Sequence, residues 1–158
     1  MPSPAKIEHY VQAYGDLVYD LCDSILWGSP HVPAVFQSIM REIRRTKPKD
    51  AFVSHERGWV LRLACTKIRE AFHRHGRNLT SSEQIELDAT VTLTSRLTRF
   101  PSFFHRLDLE DKILLILRDK YGLPYPEIST AMDSPEGSLK VRRQQALATL
   151  EEWLWDYR

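Results

Sequence analysis

The stretch that decides the fold reads Leu109-Glu-Asp-Lys-Ile-Leu-Leu-Ile-Leu-Arg-Asp-Lys-Tyr121, then Gly122-Leu-Pro124, then Tyr125-Pro-Glu-Ile-Ser-Thr-Ala-Met132, then Asp133-Ser-Pro-Glu-Gly137, and continues from Ser138 as a long run led by cations. Two turn signals cut it into three helix-length segments. The first carries apolar residues at Leu109, Ile113, Leu114, Ile116 and Leu117, which is helical spacing. Gly122 stands where a helix C-terminus favours a residue tolerant of positive φ. Pro124 and Pro126 suit entry to the next helix, because proline fits a first turn and not an interior. Ser134-Pro135 is a cap-plus-proline start for the last helix.

The middle segment, 125–132, is too short to stand alone and needs a neighbour to lie across. A tight turn then forces a steep crossing into the next helix. That is the arrangement of a helix-turn-helix, whose second helix enters the major groove of DNA. Lys140, Arg142 and Arg143 gather in the first turns of that helix, with no acid between Ser138 and Leu150; Glu151 and Glu152 come only afterwards. Cations at an N-terminus oppose the helix macrodipole, so helix stability does not account for them and a phosphate partner does. The competing reading is a solvated face of an ordinary bundle. Leu139, Arg143, Ala146 and Leu150 share the inward face, with Arg143 snorkelling outward along its stem or the helix rotated slightly.

Working outward, the 158 residues make one or two small domains, and a hydrophobic fraction of 42% is ordinary for a globular chain. No apolar run approaches the roughly 20 residues that span a bilayer. The start, Met1-Pro-Ser-Pro-Ala-Lys6, lacks the apolar core of a signal peptide, so a cytoplasmic location is expected. Net charge is +1, so nucleic-acid binding has to come from local asymmetry and not from the whole molecule. Cys22 and Cys65 do not make a disulfide framework and fall in apolar helical patterns, as buried free thiols do. His73 and His75 point to different sides of a helix and match no zinc spacing with Cys65. No Gly-rich phosphate loop, catalytic carboxylate pair or nucleophile elbow is visible, and no enzyme or cofactor is expected.

The N-terminal half reads as three helices. Residues 7–27 place apolar side chains at 7, 10, 11, 14, 17, 18, 21, 25 and 26, a broad stripe that Gly15 weakens without breaking. Residues 33–45 turn Val35, Phe36, Ile39, Met40 and Ile43 inward. Residues 56–75 carry Trp59, Val60, Leu63, Ala64, Ile68, Ala71 and Phe72, together with Arg57, Arg62, Lys67, Arg69 and Arg74 against only Glu56 and Glu70. A helix this basic is a candidate phosphate-tracking face. Trp59 and Phe72 either stack on exposed bases or pack in the core, and their spacing favours the core for at least one. Polar residues 78–82 mark a boundary. Residues 83–97 read as helix despite the β-branched run at Thr90, since a lone strand would have no partner here. Phe100, Phe103 and Phe104 are expected to fill a second core.

The run from Leu107 to Lys140, and Pro135-Glu-Gly-Ser-Leu-Lys140 above all, resembles the promoter-binding C-terminal domain of bacterial sigma factors of the small extracytoplasmic-function type. More weakly, Trp59-Val-Leu-Arg-Leu-Ala-Cys-Thr-Lys-Ile-Arg-Glu-Ala-Phe-His-Arg74 resembles the family's helix that recognises and opens the minus-ten element. Thr66 and Glu70 stand where Asn and Asp are usual. Val32-Pro-Ala-Val-Phe-Gln37 is similar to the motif on the helix that docks on the polymerase clamp. There Gln37 matches, while Pro33 and Ala34 replace two acids and Ser38 replaces a glutamate. In the last helix Lys140 and Arg142 match, while Val141, Arg143 and Gln145 stand where serine, leucine and arginine are usual. The resemblance covers about two-thirds of the chain.

The resemblance implies an all-α chain of two small helical domains joined by a linker. A region-2-like unit over 1–78 would bind core RNA polymerase and the minus-ten element. A linker and first helix of the second domain would occupy 79–106, and a helix-turn-helix domain over 107–158 would read the minus-thirty-five element. The function implied is transcription initiation, with promoter DNA and core RNA polymerase as partners, an anti-sigma protein as a further partner the family often has, and no small-molecule substrate. Ser138, Lys140, Arg142 and Arg143 are the implied minus-thirty-five contacts, Arg62, Thr66, Arg69 and Arg74 the minus-ten contacts, and Gln37, Met40 and Arg41 the docking residues. Arg142 is the first choice for base readout because its fork fits a guanine edge, with Ser138 and Lys140 on phosphate. The alternative is a sigma-like regulator that binds DNA or a protein without initiating. The missing carboxylates at Pro33 and Ala34 favour it.

Overall fold

A computed structural model describes residues 4–26, 29–46, 56–75 and 104–156, and these are helices and short turns with no strand among them. Helix α1 is Pro4–Leu26, α2 is Val32–Arg45 and α3 is Glu56–His75. Helix α4, Leu109–Leu115, runs on into a π-helical turn, Ile116–Lys120; α5 is Tyr125–Met132 and α6 is Glu136–Asp156. The helix expected over 83–97, the boundary at 78–82, and Phe100 and Phe103 lie outside the described residues.

Helices α1, α2 and α3 pack on one another through the faces that their periodicity marks. Val18, Leu21, Cys22 and Ile25 of α1 meet Val32, Val35, Ile39 and Ile43 of α2 and Val60, Ala64, Cys65 and Ile68 of α3 in one buried cluster. Gly15 sits within an unbroken α1. Val11, expected inward, is instead exposed together with Tyr19. Tyr19 lies edge-on to Phe36 of α2, with ring centroids 5.3 Å apart.

Helix α3 is buried on more than one side, which its apolar pattern does not announce. Helices α1 and α2 cover one flank, and α5 lies along another. Leu61, about 20° round the helix from Ile68, is fully buried within the stripe that Ile68 marks. Trp59 is 4% exposed and packs its ring 5.8 Å from that of Tyr10, which puts it in the core and removes it as a platform for bases. Gly58 marks the closest approach of α5. A Cβ there would lie 3.2 Å from Thr130 Cβ and Cγ2 and 3.4 Å from the Glu127 carbonyl oxygen. Glycine in a helix costs about 1 kcal/mol relative to alanine, and at this position it is what lets the two helices touch.

The short α5 does lie across a neighbour, and that neighbour is α3. Its Ile128, Ala131 and Met132 are buried, and they join the same cluster as α1–α3 and α4. A smaller cluster of Leu107, Leu115, Ala146 and Leu150, with Phe104 and Trp153 against it, ties α6 to the start of the C-terminal segment. The end of α4 widens. Tyr121 N–H donates to the Ile116 carbonyl at 3.1 Å, and Gly122 takes φ +65° as expected. Lys120 pairs with Asp20 of α1 at 2.7 Å, and the Tyr121 hydroxyl donates to the same carboxylate.

The turn between α5 and α6 is made by Asp133 at φ 53°, one of the few residue types that tolerate the left-handed region. Ser134, expected to cap α6, faces the other way. Its N–H donates to Ser129 O at 3.2 Å and its hydroxyl to Met132 O at 3.3 Å. The left-handed residue folds the chain back on α5, so Ser134 closes the open carbonyls of the helix it leaves.

Candidate nucleic-acid interface

The leading end of α6 is open. Glu136, Gly137, Ser138, Lys140, Val141, Arg142, Gln144 and Gln145 are all exposed, while Leu139, Ala146 and Leu150 are buried on the opposite side. Arg143 shares that inward face and escapes along its stem. Its guanidinium forks onto Asp119, with Nη2 to Oδ1 at 2.5 Å and Nε to Oδ2 at 3.0 Å. Arg143 is thereby placed as a brace between α6 and the end of α4. The hydrogen bond to Asp119 raises its pKa.

Arg142 is exposed but not idle. Its Nη1 donates to Asp111 Oδ1 at 3.0 Å, and the Asp111 side chain is only 17% exposed. Burial raises the Asp111 pKa, and the Arg142 charge opposes that shift. Lys140 makes no ion pair among those described. Its ammonium lies 5.4 Å from the centre of the Tyr125 ring, whose face Arg118 also approaches, at 4.6 Å. Of the cations that lead α6, two are tied to acids of the same chain and Lys140 is turned to an aromatic ring at an open surface.

Val141 is 53% exposed, the most exposed large apolar side chain among the described residues. It shares one wall of an open groove with Ser138, Arg142 and Gln145, and Asp108 and Asp111 stand on the other. Val141 and Gln145 were not among the expected contacts. The signal was available: residue 141 lies about 200° round the helix from Leu139, so a buried Leu139 turns it outward.

Three arginines of α3 are also tied to acids. Arg57 forks onto Glu127 of α5, Nε to Oε2 at 2.7 Å and Nη2 to Oε1 at 2.9 Å. Arg69 forks onto Glu110 of α4 at 2.7 and 3.0 Å. Arg62 reaches Asp133 at 3.4 Å, the longest of the set. Both forked arginines have raised pKa values, caused first by those hydrogen bonds. The pairs are partly exposed, so each contributes up to roughly 1 kcal/mol. Thr66 is exposed and its hydroxyl donates to Arg62 O at 3.0 Å. Arg74 is exposed near the end of α3, on the rim of a small cleft lined also by His31, Ser38 and Lys67. The four implied minus-ten residues therefore do not form one open face: Arg62 and Arg69 lie under the C-terminal segment, and Thr66 and Arg74 face outward.

On α2, Gln37 and Arg41 are exposed one turn apart and Met40 is half-buried. Pro33 and Ala34 continue that exposed face, which carries Arg41, Arg44 and Arg45 and no exposed carboxylate. The two cysteines are buried free thiols, as expected, and burial pushes each up to about 12. Among the described residues no group of three or more His, Cys, Asp or Glu side chains is placed to hold a metal ion, and no helix is long and apolar enough to cross a membrane.

No protein-family model matches the chain, and no curated protein matches it. The class defined by the fold is a chain whose described residues are all helices and turns, with an open, cation-bearing helix end and a second basic helix held under acidic side chains.

Proposed function

We propose that the chain is a DNA-binding transcription factor of the sigma type, with α5 and α6 as a helix-turn-helix in a second domain and promoter DNA and core RNA polymerase as its partners. The observation that carries this reading is the leading end of α6. A short helix and a tight left-handed turn deliver a long helix whose outer face is open over its first three turns and offers Ser138, Lys140, Val141 and Gln145 outward. Lysine positions such a helix on phosphate, glutamine can pair with an adenine edge, and a valine methyl can meet that of thymine. Arg142 joins them when Asp111 releases it.

The second reading, a regulator that binds DNA or a protein without initiating, is favoured by α2. Its exposed face carries Arg41, Arg44 and Arg45, and Pro33 and Ala34 stand where a docking helix of the family offers carboxylates. Run-off transcription with core polymerase separates the two. Transcript from a selected promoter supports initiation; duplex binding without transcript supports the regulator. Absence of duplex binding at low salt sinks both.

Within the DNA reading, Lys140→Ala weakens binding to all duplexes alike and lowers the slope of log affinity against log salt by about one. Val141→Ser changes base preference at one position and leaves that slope intact. Anisotropy titrations over a salt series against a small panel of duplexes check both; equal losses on every duplex for Val141→Ser would remove it from readout.

A further inference from the structure

Three arginines of α3 meet carboxylates from the far end of the chain: Arg57 meets Glu127, Arg62 meets Asp133 and Arg69 meets Glu110. The acids stand on three separate pieces of the C-terminal segment: the first turn of α4, the first turn of α5, and the residue that ends α5. Apolar contact already seats this segment, through Ile128, Ala131, Met132 and the close approach at Gly58. The matched charges are an addition to that contact. A guanidinium fork binds a carboxylate and a phosphate in the same two-pronged geometry. Arg62 and Arg69 are seven residues apart, about 10 Å along the axis, so both lie along one line of the helix.

We propose that the C-terminal segment closes over α3 as an internal stand-in for a nucleic-acid backbone, with Glu110, Glu127 and Asp133 holding the arginines that phosphates take once the segment is displaced. This rests on the reading of α3 as a phosphate-tracking helix. The closed chain keeps a landing point, since Arg74 stays exposed beyond the covered arginines and Thr66 stays exposed between Arg62 and Arg69. A strand that lands there competes for Arg69, then Arg62, then Arg57, and lifts α5 as it goes. The apparent affinity of the whole chain is lowered by the fraction of molecules that are closed.

The test uses the full chain, a fluorescent single-stranded oligonucleotide of mixed sequence, and amide exchange across α5. Two variants loosen the contact by different means: E110Q/E127Q removes charge, and G58L drives a side chain between α3 and Thr130. A third, D16N/E152Q, makes the same change of net charge away from α3 and controls for general attraction. The expected result is faster exchange in α5 when the oligonucleotide binds, and affinity about fivefold or more above the D16N/E152Q control for E110Q/E127Q, and above wild type for G58L. If wild type binds with α5 exchange unchanged, and neither variant binds tighter, the closing contact is wrong while the nucleic-acid reading of α3 stands. If no form binds although α5 exchange is faster in both variants, the reading of α3 fails and this proposal with it. If α5 exchange stays at the wild-type rate in both variants, these contacts do not hold the segment and the proposal is overturned.

Discussion

Replacing Leu114 by alanine lowers the unfolding free energy by about 2–5 kcal/mol, and the loss is felt in α1–α3 as strongly as in α4. Leu114 is fully buried, and its cluster joins side chains from α1, α2, α3, α4 and α5 with Leu139 of α6. A cavity in that cluster withdraws packing from every helix that lines it. Leu150→Ala empties a position in the smaller cluster, where Leu107, Leu115 and Ala146 are its fully buried companions. Its effect stays within α6 and the start of the C-terminal segment. Urea unfolding gives the size of each loss, and amide exchange gives its reach. Protection that falls in α4 and α5 for Leu114→Ala, while α1–α3 hold theirs, would mean two cores that fold separately, and the shared cluster would carry no cooperativity.

That shared cluster is the part of the fold least legible in the sequence. The separate helices were legible, because capping residues, prolines and a 3.6-residue apolar period are local signals. The limits of α3 and α5 fall at Glu56–His75 and Tyr125–Met132, as the pattern predicts. Gly122 ends a helix in the left-handed region for the same local reason. What escapes is which helix covers which. Leu61 and Cys65 share a stripe with Ile68 and Phe72, but nothing local says that α5 arrives beside it at Gly58. The ion pairs escape more completely. Arg57 and Glu127 are 70 residues apart, Arg62 and Asp133 are 71 apart, and no periodicity relates them. The candidate site divides in the same way. The inward series Leu139, Ala146 and Leu150 and the outward Lys140 follow from helical geometry alone. The capture of Arg142 by Asp111 and of Arg143 by Asp119 depends on where α4 lies. The widened turn over Ile116–Lys120 has no local signature either; the sequence there reads as ordinary helix.

Acid weakens the fold through His105, by about 2 kcal/mol at pH 5 and about 3 kcal/mol at pH 4 relative to neutral pH. His105 is 6% exposed, and its pKa is lowered from 6.5 to about 4, first by burial and then by the charge of Lys112. The unfolded chain takes up a proton at this position near pH 6.5, whereas the folded chain waits until about 4. Between those values the unfolded state binds more protons, so stability falls as pH falls, and below about 4 the loss from this group is complete. Lys112 is itself 1% exposed, with its ammonium 4.6 Å from the centre of the Phe72 ring, and burial lowers its pKa to about 8. Its contribution runs in the same direction at higher pH. The cost of burying its charge is full below about 8 and lifts as pH rises toward 10.5. Asp108 partly offsets it. Asp20, Asp23, Asp119 and Lys120 line the same cavity as His105, so charged side chains face it. The informative quantity is therefore the difference between wild type and His105→Leu. Urea unfolding at pH 7.5, 6.5, 5.5 and 4.5 is expected to give a difference that grows steadily toward acid. Lys112→Met removes the second cause and brings the folded-state pKa back toward 6.5, so the loss still begins near pH 6.5 but is smaller and is complete at a higher pH. A wild-type minus His105→Leu difference that stays level across this range would show that the imidazole keeps an ordinary affinity for protons, and that its surroundings admit the charge.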